Sequence, residues 1–212
     1  MLHLYFTPQT CALASHIALE EAGADYTLTR IDFATAQQRS AEYLAINPKG
    51  RVPALVTERG VLTETPAMLA YIAQLFPAAN LAPLNDPFAF GQVQAFNSYL
   101  CSSVHVSHAH RMRGYRWVEA DDTHSIEAMK RKVPHSVFEG FNLIETGMLA
   151  GPWVMGEQYT ICDAYLFTLA QWLEGDGVDP ARLPRVADHR KRMAERPAVQ
   201  RAVAQEKVSK AA

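Results

Sequence analysis

Leu2-His3-Leu4-Tyr5-Phe6 is a short apolar and aromatic run with the character of a buried strand. Thr7-Pro8-Gln9-Thr10 breaks it, and from Cys11 to Gly23 the pattern turns helical. Leu13, Ile17, Ala14 and Ala18 form the apolar face, Glu20 and Glu21 are polar, and Gly23 stands where a C-cap is expected. Tyr26 to Ile31 alternates as a second strand. A strand, a helix and a strand within so short a span form a βαβ unit, whose strands run parallel.

Residues 33–46 are polar, with a weak helical pattern over 41–46. A strand at 54–57, a turn at Glu58-Arg59-Gly60 and a strand at Val61-Leu62-Thr63 predict an antiparallel hairpin. A helix follows, with Thr65 as N-cap, Pro66 at its first position and Met68, Leu69, Ile72 and Leu75 inward, ending before Pro77. The N-terminal unit, βαβ then ββα, is the thioredoxin-like arrangement. Pro77, Asn80, Pro83 and Pro87 mark a linker, and beyond it no strand pattern appears. Helices are expected over 86–116, over 123–150 with Pro134 as a kink point, from Thr160 through Trp172, and over about 183–195 and 197–206. Thr160-Ile161-Cys162-Asp163 reads as a capping box. The expected fold class is therefore α/β plus all-α: a thioredoxin-like domain over 1–77, a linker at 78–86 and a helical domain over 87–212.

A hydrophobic share of 49%, a charged share of 20% and a net charge of −2 fit an ordinary globular chain and argue against nucleic-acid or membrane-surface partners. No apolar run reaches the roughly 18 residues of a membrane span, and the first residues lack the marks of a signal peptide. The cysteines, Cys11, Cys101 and Cys162, are odd in number and far apart, which suits a reducing compartment; a cytoplasmic location is expected.

The densest local signal is Asn47-Pro48-Lys49-Gly50-Arg51-Val52-Pro53-Ala54-Leu55. Pro53 can open an edge strand in the ordinary trans form, or the Val52–Pro53 bond can be cis, leaving the Val52 backbone free to pair with an extended peptide. Cys11, at a helix start, is either a small packed residue or a thiol whose pKa the helix dipole lowers. Glu64 and Thr65 suit a helix start, and equally a ligand carrying an ammonium and a carboxylate. His105 and His108 share a helix face with His110 nearby, but no acidic or cysteine ligand accompanies them, so no metal is expected. Cys101 and Cys162 read as inert packing, and Trp117, Trp153 and Trp172 as core or interface anchors. The basic stretch from Arg185 to Arg196 is diluted by Asp188 and Glu195 and reads as a solvated face.

Four segments carry a resemblance: Cys11 to Glu21, Asn47 to Leu55, Leu62 to Thr65, and Thr160-Ile161-Cys162-Asp163-Ala164-Tyr165-Leu166-Phe167. In this order, over essentially the whole chain, they are similar to cytosolic glutathione transferases, most of all the bacterial beta class, which has a cysteine at the start of its first helix. The resemblance implies transfer of glutathione's thiolate to a small hydrophobic electrophile, or thiol–disulfide exchange through Cys11, in a homodimer with glutathione as co-substrate. It implies Cys11 and His105 at the sulfur, with Thr10 or Thr7 as alternative partners. Tyr5 is a weak candidate, because the family's tyrosine falls at Phe6. It further implies Val52 and Pro53 along the cysteinyl part, Glu64 and Thr65 at the γ-glutamyl end, and Gln38 and Arg51 as glutathione contacts. The lysine that often meets the glycyl carboxylate is missing; Gln37, Gln38 or Arg39 could substitute, and Ser98 and Val106 stand where the family has asparagine and lysine. A second reading keeps the fold without catalysis, as an adaptor resembling stringent starvation protein or as a carrier of apolar ligands.

Overall fold

The structure, a computed structural model, describes residues 1–208. Strands β1 (Leu2–Phe6), β2 (Tyr26–Arg30), β3 (Ala54–Thr57) and β4 (Gly60–Thr63) form one sheet in the order β2-β1-β3-β4. β1 pairs parallel with β2, Leu2 opposite Tyr26, and antiparallel with β3, Leu4 opposite Leu55; β3 and β4 close the hairpin. Helix α1 (Ala12–Glu21) makes the parallel crossover, and Gly23 leaves it at φ +62°, one residue beyond the C-cap. Helix α2 is Ala41–Ile46, with Ser40 accepting from the Tyr43 amide, and α3 is Thr65–Leu75. The N-cap of α3 is Glu64, not Thr65: Glu64 takes φ +72°, ψ +117°, and Thr65 is already helical.

The rest is helical: α4 (Pro87–Tyr99), α5 (His105–Arg113), α6 (Thr123–Leu143, with Pro134 inside), α7 (Ile161–Ala170), α8 (Pro184–Ala194) and α9 (Pro197–Val208). Three sequence expectations change here, the first being the helix over 123–150, which is α-helical only to Leu143 and passes into a π-helical segment at Ile144–Met148. The run over 86–116 is not one regular helix, because a π-helical segment at Leu100–Val104 separates α4 from α5. The helix begun at Thr160 ends at Ala170, so Trp172 lies beyond it, free to face elsewhere. The capping box forms as read, Thr160 accepting from the Cys162 amide and Asp163 from the Thr160 amide.

One core runs through both halves. Phe6, Ala12, Ala14 and Met68 pack in the same cluster as Phe96, Leu100, Ile161 and Tyr165. α1 lies against α7 and α9, Glu21 receives Arg196 from the turn between α8 and α9, and Glu20 receives Arg201 from α9. The first helix is thereby held from both sides, which fixes its N-terminus at the seam between the sheet and the helical half. Among the described residues, no helix is long and apolar enough to cross a membrane.

Candidate functional site

Cys11 is the N-cap residue of α1, in right-handed helical geometry. The loop before it is tied down by its own hydroxyls. Thr7 Oγ1 donates to the Ile31 carbonyl at 2.8 Å, and Thr10 Oγ1 donates to the Thr7 carbonyl at 2.7 Å. Both alternative hydroxyls are thus engaged with backbone. Tyr5 stacks on His3, 4.5 Å between centroids, and packs in a separate cluster with Tyr43 and Val52; Phe6 is fully buried.

Cys11 Sγ lies 3.7 Å from the Val52 carbonyl oxygen, and the Val52–Pro53 bond is cis. The carbonyl faces the thiol. The turn that delivers it is locked by Asn47 Nδ2 and Tyr43 Oη, which both donate to the Arg51 carbonyl, at 2.6 and 2.7 Å. Gly50 adopts φ +59°, and a side-chain carbon there would come within 2.9 Å of the Gln38 carbonyl. Glycine is required on both counts.

The expectation of a lowered thiol pKa does not hold. Burial pushes Cys11 up to about 11; the Thr65 hydroxyl pulls it back in part, while Cys101 and Glu64 push it further up. The helix end loses to desolvation because the thiol, though the residue is only partly buried, lies at the seam between the two halves of the chain. Cys101, taken as inert packing, is close enough to Cys11 for their charges to interact, and the Tyr165 hydroxyl binds it. Burial raises the Cys101 and Tyr165 pKa values too.

Glu64 makes no capping bond with its side chain; its carboxylate meets Lys49 Nζ, which also reaches Thr63 Oγ1 at 2.7 Å. Lys49 was missed in sequence, although the Asn47-Pro48-Lys49 turn and the hairpin register bring it beside Glu64. Gln37 Oε1 accepts from the Asp32 amide and is structural. The Gln38 side-chain oxygen, by contrast, is buried without a partner. As amide oxygen and nitrogen exchange on a flip, Gln38 can present a donor there.

His105 opens α5. Its pKa falls to about 4, chiefly through burial and then through the charges of His108, Arg116 and Arg51, so the ring is neutral at pH 7 and can donate one hydrogen bond. It lies 5.2 Å from the Trp172 ring. Trp172 stacks on His108 at 4.1 Å and donates its indole N–H to the Gln9 carbonyl at 3.1 Å. It thereby joins the helical half to the loop that carries Cys11. His108 in turn pairs with buried Asp176 at 2.7 Å, and His110 stands edge-on to Trp117, so the three histidines do not converge. No periodicity could reveal this contact, since Trp172 acts from outside its helix.

Three comparisons bear on this arrangement. Residues 1–74 match the family model described as glutathione S-transferase, N-terminal domain. The chain is 33% identical over 208 residues to glutathione S-transferase GstA of Escherichia coli O157:H7, covering 97% of this chain and 98% of the relative. A crystal structure of a glutathione transferase homologue from Sulfitobacter with bound glutathione superposes with TM-score 0.93 at 45% identity, covering 97% and 98% of the two chains. A bacterial beta-class glutathione S-transferase from Sphingomonas chungbukensis gives 0.84 at 30%, over 96% and 98%.

Proposed function

The chain belongs to the glutathione S-transferase family, and on that footing we propose that it binds glutathione beside Cys11 and transfers its thiolate to a small electrophile, in the manner of the beta class. The observation that carries this reading is the meeting of Cys11, Thr65 and the Val52 carbonyl at the start of α1, with His105 in the same electrostatic neighbourhood.

The tripeptide pairs its cysteinyl backbone with Val52 at the cis Val52–Pro53 step. Its γ-glutamyl ammonium meets Glu64, and its α-carboxylate meets the first amides of α3 beside Thr65, which no side chain caps. The buried Gln38 amide and Arg51 take the glycyl end in place of the missing lysine. The thiolate of glutathione accepts from the Cys11 S–H and from neutral His105, and holding it beside the electrophile supplies most of the acceleration. The division into a glutathione domain over 1–77 and a helical domain after 86, a homodimeric state and a cytoplasmic location complete the proposal.

The raised Cys11 pKa favours conjugation over disulfide exchange. At about 11, only about one thiol in ten thousand is ionised at pH 7. A group so rarely a thiolate serves well as a hydrogen-bond donor and poorly as a nucleophile. Conjugation is the main activity at neutral pH, with exchange through Cys11 emerging under alkaline conditions. Calorimetric titration with reduced glutathione tests the reading. Binding in the micromolar to low-millimolar range is expected, and the absence of heat at two temperatures would move the protein to the adaptor class.

A further inference from the structure

The end of α5 and the turn that follows it, Arg111-Met112-Arg113-Gly114-Tyr115-Arg116-Trp117, combine basic and apolar exposure in one short segment. Met112 is 62% exposed, Tyr115 45% and Trp117 44%, three of the large apolar side chains most open to solvent. The segment reaches across to the sheet half: the Arg113 guanidinium lies 5.9 Å from the Phe33 ring, in the loop after β2. Arg116 lies near enough to Arg51, which precedes Val52, for the two charges to repel, and both bear on His105. Arg113 and Arg116 thus gather with Arg51 near His105, whose ring also feels the Glu64 charge.

Most other arginines of the helical half are neutralised. Arg111 pairs with Asp176, Arg190 with Glu174, Arg192 with Asp188, Arg196 with Glu21 and Arg201 with Glu20. Among the described residues, no ion pair joins Arg51, Arg113 or Arg116 to a carboxylate, and the only polar contact of Arg113 in view is to the Tyr115 hydroxyl at 3.2 Å. Of the acids that follow, Asp122 caps α6. Like charges gathered without a counterion create a standing attraction for an anion, and guanidinium forks match a carboxylate in geometry. The exposed Tyr115 and Trp117 rings beside them favour a flat apolar body.

We infer that Arg113 and Arg116 select the electrophile, and that its class is an aromatic or otherwise apolar compound carrying a carboxylate. The inference rests on the glutathione transferase reading and sharpens it: Arg51 remains with glutathione, while the two arginines of the helical half face the second substrate. A carboxylate could equally be supplied by glutathione's own glycyl end, so the test must separate the two sources.

Two S-benzylglutathiones that differ only in a para-carboxylate on the benzyl ring do so, because the glutathione carboxylates are common to both. Calorimetric titration of each into the wild-type protein should show the carboxylated conjugate binding about tenfold tighter or more, with the gap narrowing as salt is raised. In the Arg113→Ala/Arg116→Ala double variant the gap should close to within about twofold, while the plain benzyl conjugate, which also reports folding, binds as before. Equal loss of affinity for both conjugates in the variant would give the arginines to the glycyl carboxylate and overturn the inference. So would a wild-type protein that binds the plain benzyl conjugate as tightly, which leaves the transferase reading standing. Failure of both conjugates to bind would remove that reading and the inference with it.

Discussion

Two helices of this chain carry a cysteine in their opening turn, and they use it in opposite ways. At α7 every group is consumed locally. Thr160 and Asp163 cap each other's amides, Asp163 Oδ1 also accepts from the Val154 amide at 2.8 Å and meets His189 Nε2 at 2.9 Å, and Cys162 Sγ points at the Val93 carbonyl, 3.5 Å away. At α1 Thr10 Oγ1 takes the Ala12 amide at 3.3 Å, much as Thr160 takes the Cys162 amide, but Cys11 itself occupies the N-cap position and turns its sulfur to Val52. Burial raises the pKa of both thiols. A helix N-terminus is therefore not enough to make a reactive cysteine. The difference lies in the second cause: the Asp163 charge pushes Cys162 further up, whereas the Thr65 hydroxyl draws Cys11 back down.

The comparison breaks most visibly at Asp163. The carboxylate is fully buried and answers four groups at once, so Asp163→Ala leaves two amides, the Thr160 hydroxyl and a histidine nitrogen without it. Loss of about 3–5 kcal/mol of folding stability is expected, measured by urea unfolding. A cost below about 1 kcal/mol would mean that water replaces the carboxylate and that the α7 start is not the rigid element described.

Thiol reactivity sharpens the contrast from the other side. A thiol titrating near 11 is protonated at neutral pH, so Cys11 alkylation should climb roughly tenfold per unit from pH 7 to about pH 10. Cys162, sealed in the core, should stay unmodified throughout. Thr65→Val removes the hydroxyl that favours the thiolate and should move the Cys11 curve to higher pH. A Cys11 curve already flat at pH 7 would show that the thiol is ionised and that exchange, rather than conjugation, is its work.

The two helix starts also differ in how far the sequence disclosed them. The capping box of α7 is local chemistry, written in four consecutive residues, and it folds as read. So do the strands and the hairpin, whose alternation and turns are local as well. The environment of Cys11 is not local. Its pKa depends on Thr65, Glu64 and Cys101, brought together from 53 to 90 positions away, and dipole reasoning applied to α1 alone gave the wrong sign. Trp172 escaped for the same reason, since its contact with Gln9 spans 163 positions. Gln38, Arg51 and Glu64 were named through a likeness of motifs; only the folded chain shows that Gln38 holds an unpartnered oxygen while Gln37 is spent on a turn.

The smallest expected effect separates structure from chemistry most cleanly. Thr160→Ala removes one cap and should cost about 0.5–2 kcal/mol, with the site at α1 untouched. Cys11→Ala should cost less than about 1 kcal/mol, because the residue is small, only partly buried and held by one long contact to Val52. Yet it removes the one sulfur placed to form a mixed disulfide with glutathione. Incubation with oxidised glutathione at pH 9, followed by intact-mass measurement, should give an adduct in the wild-type and Thr160→Ala proteins and none in Cys11→Ala. An adduct that survives in Cys11→Ala would pass the role to Cys101, its electrostatic neighbour across the seam. The contrast would then lie between two faces of the same cleft instead of two helix starts.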